Sequence, residues 1–278
     1  MIPDQLQKMI DQTNLPLAYL ESYTWFYGRR FLVNKNVLIP RPETEDIITL
    51  AKTLHPTQHN IHPHTPSSCA PLTISPDRAE WCGAVAGPTA PQNIIEYHPS
   101  RILDLGTGSG IIPITLALEL PSAQITATDI SKKALTIAKQ NAQNLLKTKK
   151  TAQPVIPGLA HSPSPSPITF LHSNLFSHPK LKNKHFDLIC ANLPYVDPDW
   201  PWLNKPALSH EPSIALYATD HGLALIYKLL DQVSAHLTAN AHLLLEADPC
   251  QHSKIIARAQ KNHLTHRQTK NYILHFQS

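Results

Sequence analysis

Two groups of residues in this sequence have the types and spacing to do chemistry. The first is Asp104-Leu105-Gly106-Thr107-Gly108-Ser109-Gly110, which ends a short apolar run and opens a helical pattern. In that setting a glycine-rich loop lets backbone approach a nucleotide-like ligand closely, where any Cβ would intrude. Asp129 stands 23 residues beyond Gly106, at the end of the next strand pattern, where a carboxylate can accept both hydroxyls of a ribose. Three of the chain's eight glycines are spent in this one loop. The second group is Asn192-Leu193-Pro194-Tyr195, at the end of another apolar run, Phe186 to Ala191. An Asn-X-Pro turn after a strand is common in itself. Its position downstream of a glycine loop is what gives it weight.

The glycines alternate as GxGxG behind an acidic residue, unlike the dinucleotide form GxGxxG, and this spacing resembles the cofactor loop of S-adenosylmethionine-dependent methyltransferases. The resemblance implies that Asp104, Gly106, Thr107, Gly108, Ser109, Gly110 and Asp129 bind S-adenosylmethionine, with Asp104 orienting the loop near the methionine amine. It also implies that Asn174 and Leu175, after the third strand pattern, lie near the adenine, and that Asn192 borders the cofactor. The NLPY segment resembles the NPPY-type motif of methyltransferases that act on planar, conjugated nitrogens, whose delocalised lone pair is a poor nucleophile. On that resemblance the Asn192 side-chain oxygen and the Leu193 carbonyl accept both N–H hydrogens of the acceptor, Pro194 stiffens the turn and Tyr195 covers the planar group. Positioning and charge complementarity then carry the catalysis, and no strong general base is needed.

NLPY by itself does not separate glutamine side chains from adenine bases. Neighbouring segments do: VLIPRPETE (37–45), SHEPSIAL (209–216), DHGL (220–223) and LLLEADPCQ (243–251), taken with the loop, resemble the HemK/PrmC family of protein-(glutamine) methyltransferases. That resemblance implies methylation of the side-chain amide nitrogen of the glutamine in the GGQ loop of class 1 peptide chain release factors. Leu193 stands where the family usually has a first proline, Asn174 where it usually has an acid, and about 36 residues precede VLIPRPETE. Two rivals follow from the same residues. One is an adenine N6-methyltransferase acting on RNA or DNA; the net charge of +4 supplies no phosphate-binding stripe, so nucleic acid is not expected as the direct substrate. The other is a catalytically weak ribosome-associated binding protein, against which the intact Asn192, Pro194 and Tyr195 set speaks.

Positioning these residues requires strands that end at the two loops. RILDL (101–105), QITAT (124–128), ITFLH (168–172), FDLICA (186–191) and HLLLE (242–246) read as strands, with helices between them from residues 111, 131 and 222. The alternation predicts an α/β fold with a doubly wound parallel sheet, and the resemblance implies its Rossmann-like class I methyltransferase form of seven strands, the last of them, in NYILHF, antiparallel. Upstream, residues 4 to 21 look helical, and Phe31 to Val33 with Val37 to Ile39 flank Asn34-Lys35-Asn36 as a β-hairpin. The expected organisation is therefore a short helical segment over 1–30, the hairpin and VLIPRPETE linker over 31–54, a loose insert over 55–99 and the methyltransferase domain over 100–278.

Composition agrees with one core-bearing domain plus attachments, at 278 residues and 42% hydrophobic. Proline locates the attachments, since 13 of 26 prolines fall in residues 55–99 and 151–167, stretches with no strand or helix period. The histidines at 55, 59, 62 and 64 belong to the first of these and read as a solvated loop without a metal. Four cysteines without a CxxC pair argue against a disulfide framework or zinc ribbon. The N-terminus lacks a signal pattern and the longest apolar run, Ile111 to Leu118, is too short to span a bilayer. A cytoplasmic protein without membrane association is expected.

Overall fold

The computed structural model describes residues 13, 15–54, 100–147 and 168–278. The inserts expected at 55–99 and 151–167 lie outside these residues, as does most of the helix expected over 4 to 21, of which the turn Leu17–Glu21 is seen. Nine strands are described: β1 (Tyr23–Phe26), β2 (Arg29–Leu32), β3 (Arg101–Leu105), β4 (Gln124–Asp129), β5 (Ile168–His172), β6 (Phe186–Ala191), β7 (Leu237–Glu246), β8 (Thr265–Lys270) and β9 (Ile273–Gln277). The longer helices are α1 (Glu45–Leu54), α2 (Ile111–Glu119), α3 (Lys132–Lys147), α4 (Ala224–Val233) and α5 (His252–Lys261).

β3 to β9 form one sheet in the order β5-β4-β3-β6-β7-β9-β8. Its first five members run parallel, whereas β9 is antiparallel to both β7 and β8. This is the seven-stranded class I methyltransferase arrangement with the last strand reversed. Successive side chains of a strand face opposite sides, and both sides are covered. Leu103, Leu105, Ile189, Ala191, Leu243 and Leu245 pack in one layer with Leu229, Leu230, Ile255 and Ala259 of α4 and α5. Ile102, Leu188, Cys190 and Leu244 pack in the other with Ile47, Ile48, Ile114 and Leu116 of α1 and α2. Burial on both faces explains why these strands read as unbroken apolar runs.

The chain lays down β3, β4 and β5 outward, then returns to place β6 on the other side of β3. Ligands of such sheets bind beyond the carboxyl ends of the strands at this reversal. Leu105 and Ala191, the last residues of β3 and β6, are register partners, so the glycine loop and the NLPY turn leave the sheet side by side.

The hairpin differs from the expectation. It pairs β1 with β2, Tyr23 opposite Leu32, and not the segments flanking Asn34-Lys35-Asn36. Its two turn residues, Tyr27 and Gly28, have φ of 49° and 71°, the primed turn that matches strand twist, and Gly28 is the sole glycine between residues 23 and 39. Phe26 and Phe31 anchor it edge to face, ring centroids 6.1 Å apart and both buried. The Asn34 segment instead makes a turn, closed by Val37 N–H donating to the Asn34 carbonyl at 3.0 Å. That turn launches the VLIPRPETE segment as a strap across the end of the sheet.

Candidate active site

The glycine loop folds back on the end of β4. Gly106 and Thr107 N–H both donate to the Thr128 carbonyl, at 2.9 and 2.8 Å. Gly108 N–H donates to Asp129 Oδ2 at 2.8 Å, and Ser131 N–H to Oδ1 at 2.7 Å. Asp129 is thus fixed by the loop it is meant to complement, and each of its oxygens keeps a lone pair for a ligand hydroxyl. Burial raises its pKa, opposed by the Ser131 and Gly108 amides. Gly106 has φ of 75°, and a Cβ there would meet Leu193 Cδ2 at 2.9 Å. The loop and the NLPY turn therefore come together at Gly106, where the absence of a side chain leaves room for Leu193.

Asp104 lies fully buried in β3, opposite Cys190 of β6. Neither of its carboxylate oxygens has a hydrogen bond of good geometry among the described residues. Desolvation pushes its pKa up to about 7; the Thr107 hydroxyl pulls it down and the charge of Asp129 pushes it up. A carboxyl this poorly compensated is costly to ionise, and a cation brought beside it would favour the charged form.

At the end of β6, Asn192 Nδ2 donates to Thr44 Oγ1 of the strap at 3.1 Å. The Tyr195 phenol donates to Glu246 Oε1 at 3.2 Å, at the end of β7. Burial pushes the Glu246 carboxyl up to about 7 and the Tyr195 phenol well above its ordinary value. Gln251 Nε2 donates to the Tyr195 and His221 carbonyls, each at 2.8 Å. The strap is held by buried Glu211, whose Oε2 accepts from Ile39 N–H at 2.9 Å and whose Oε1 pairs with the Arg41 guanidinium. VLIPRPETE and SHEPSIAL, far apart in sequence, meet through this carboxylate.

These elements enclose a cavity of about 280 Å³, at the low end of the roughly 300–1,000 Å³ of small-ligand sites and suited to one nucleoside-sized ligand. Of the expected site residues, Gly106, Thr107, Gly108, Ser109, Asp129, Asn174, Leu175, Asn192, Leu193 and Pro194 line it. Asp104, Gly110 and Tyr195 are not in its wall. Gly110 caps the N-terminus of α2, and Tyr195 is tied to Glu246 and Gln251. Leu38, Pro40, Arg41 and Thr44 of VLIPRPETE and Ile214 of SHEPSIAL, segments that carried the family resemblance but no expected site role, also line the cavity, as does the apolar Ile130. The residues present fit S-adenosylmethionine: Asp104 is a buried carboxyl without a hydrogen bond of good geometry behind the glycine loop, Asp129 offers acceptors to a diol, and Ile130 and Leu175 supply apolar wall for a base.

The description "Methyltransferase small domain" matches residues 91–199. A release factor glutamine methyltransferase of Neisseria gonorrhoeae is 30% identical over 251 residues, covering 88% of this chain and 70% of that protein. The chain belongs to the release factor glutamine methyltransferase family. Another protein of that name, from Koribacter versatilis, is 32% identical over 240 residues, 84% of this chain and 65% of the relative. A bifunctional methyltransferase of Rickettsia bellii is 37% identical over 233 residues, 83% of this chain. This release factor glutamine methyltransferase family member spans 36% of the length of that protein and 38% of its Rickettsia felis counterpart. Among its described residues no helix is long and apolar enough to cross a membrane, and no group of three or more His, Cys, Asp or Glu could hold a metal ion.

Proposed function

We propose that this chain transfers a methyl group from S-adenosylmethionine to the side-chain amide nitrogen of the glutamine in the GGQ motif of class 1 peptide chain release factors. The observation that carries the proposal is the single cavity shared by Gly106 to Ser109 and Asn192 to Pro194, with the VLIPRPETE strap as its third wall; the names of the relatives supply the substrate. When bound, S-adenosylmethionine supplies an electrophilic methyl group on a cationic sulfur, which the glutamine nitrogen takes with loss of one of its protons. Asp104, Asp129 and the loop amides hold the cofactor. The Asn192 side-chain oxygen and the Leu193 carbonyl accept the two amide hydrogens and orient the nitrogen, while Pro194 limits the motion of the turn. A substrate that works on ribosomes makes the cytoplasm the place of action.

The test is incubation of the full chain with labelled S-adenosylmethionine and either purified release factor or rRNA, followed by mass spectrometry of the GGQ peptide. Label on that glutamine is expected, and Asn192→Ala should abolish it while cofactor binding survives. Label on RNA alone, or on neither, overturns the proposal.

A further inference from the structure

The acceptor role of Asn192 requires more than its presence, because a carboxamide is ambiguous. Turned one way it offers an oxygen to a substrate NH₂ group; turned by 180° it offers its own NH₂ and repels it. We infer that Thr44 of the strap and Glu246 at the end of β7 are positioning residues that set which face of the Asn192 amide the substrate meets. The inference rests on the reading of Asn192 as the acceptor of the substrate's N–H hydrogens.

Three observations converge. Asn192 Nδ2 is already spent on Thr44 Oγ1 at 3.1 Å, which leaves Oδ1 as the atom of the amide available to a ligand in the cavity that Asn192 lines. Thr44 is fully buried, so its hydroxyl has no water with which to exchange this bond. A hydroxyl alone does not choose, since it accepts from an NH₂ as readily as it donates to a carbonyl. The choice comes from Glu246, which is 1% exposed and, when ionised, can only accept. Its Oε1 takes the Tyr195 phenol, and its Oε2 has no hydrogen bond of its own. The Thr44 hydroxyl and the Asn192 amide both lie near enough to this carboxyl to hold its pKa below what burial alone would give. With the Thr44 hydrogen drawn towards Glu246, a lone pair faces Asn192 and selects Nδ2. Reversing the amide would set Oδ1 against oxygen atoms on that side, where Thr44 and Glu246 are buried and such repulsion is weakly screened.

The three residues come from three separate parts of the chain: the strap, the turn after β6 and the end of β7. The polarity of the site is thus built only when the strap is docked. The charged and titratable groups facing Glu246 are Glu43 of the strap, the Tyr195 phenol and the Tyr272 phenol beyond the end of β7. Glu43 and the burial of Glu246 both resist its ionisation.

Thr44→Val removes the hydroxyl at nearly constant shape. The expected result is a fall in kcat for GGQ methylation of about tenfold or more, with the S-adenosylmethionine affinity within about twofold of wild type by calorimetry. Thr44→Ser should restore the rate. Glu246→Gln, whose own amide can donate to Asn192 Oδ1, should lower kcat in the same way. A readout independent of turnover is the side-chain NH₂ resonance pair of Asn192, assigned by its loss in Asn192→Asp. It should move with pH near about 7 in the wild type and be flat in Glu246→Gln. Wild-type kcat in both Thr44→Val and Glu246→Gln, or an NH₂ pair indifferent to Glu246, overturns the inference. If wild-type protein labels no release factor, the function proposed above fails, and the resonance experiment still decides the orientation.

Discussion

At Asp129 both carboxylate oxygens are already engaged by the backbone, Oδ2 by Gly108 N–H and Oδ1 by Ser131 N–H, so its side chain shapes the loop as well as facing the ligand. Asp129→Asn keeps one acceptor, loses the charge and sets an NH₂ group against one of these half-buried donors. A hydrogen bond to a charged group is worth about 1.5–3 kcal/mol, so losing the charged acceptor offered to the ribose predicts a loss of S-adenosylmethionine affinity of about tenfold to a hundredfold by calorimetry; unchanged affinity would remove Asp129 from the binding role. The pairing of Asp129 with the glycine loop was legible in the sequence because strand, loop, helix and strand follow one another within a few dozen residues. Thr44 and Glu246 were not, since they are separated from Asn192 and Tyr195 by 148 and 51 residues. No local period announces that a threonine inside PETE or a glutamate closing a strand faces the acceptor turn.

The hairpin and the strap are where the sequence reading and the structure part, and the reason is turn chemistry. Asn34-Lys35-Asn36 has turn-forming residues, but the hairpin closes on Tyr27-Gly28, where a glycine accepts the positive φ at low cost. Freed from the hairpin, residues 34–44 cross the sheet end and are pinned by Glu211. The acceptor turn is braced from its other side by Gly222, with φ of 81°, where a Cβ would lie 2.0 Å from the Tyr195 carbonyl oxygen and 2.6 Å from Gln251 Nε2. That oxygen belongs to the backbone and is held by Gln251, so it cannot yield without shifting the turn. Gly222→Ala is therefore expected to destabilise the protein by about 3 kcal/mol through overpacking and strain, measured by urea unfolding. Its methyl-transfer rate should fall further than its cofactor affinity, because Gly222 touches the acceptor turn and not the glycine loop. A variant with wild-type stability and rate would refute this account of DHGL.

Across the whole molecule, the sheet was the most legible feature, because β3, β6 and β7 are buried on both faces and show as plain apolar runs. The same burial sets a cost at Asp104 that spacing alone does not reveal. In the folded protein its carboxyl holds a proton up to about pH 7, against an ordinary value of 3.8. Between those values the unfolded chain gives up the proton and the folded protein keeps it, so folding stability falls as pH rises through the window. The full difference is of the order of 4 kcal/mol, at 1.36 kcal/mol per pH unit. Glu246 adds a slope of the same sign, and His275, held down to about 4 by burial, one of the opposite sign. Both are common to wild type and variant and cancel in a comparison. Asp104→Asn, neutral at every pH, should match the wild type in stability near pH 4 and exceed it by a few kcal/mol at pH 8, as read by urea unfolding. The same variant should bind S-adenosylmethionine more weakly, because on the function proposed above the Asp104 carboxylate meets the ligand's cationic end. Equal stability of the two proteins at pH 8 would mean that Asp104 is compensated within the chain, and unchanged affinity would mean that no ligand cation reaches it.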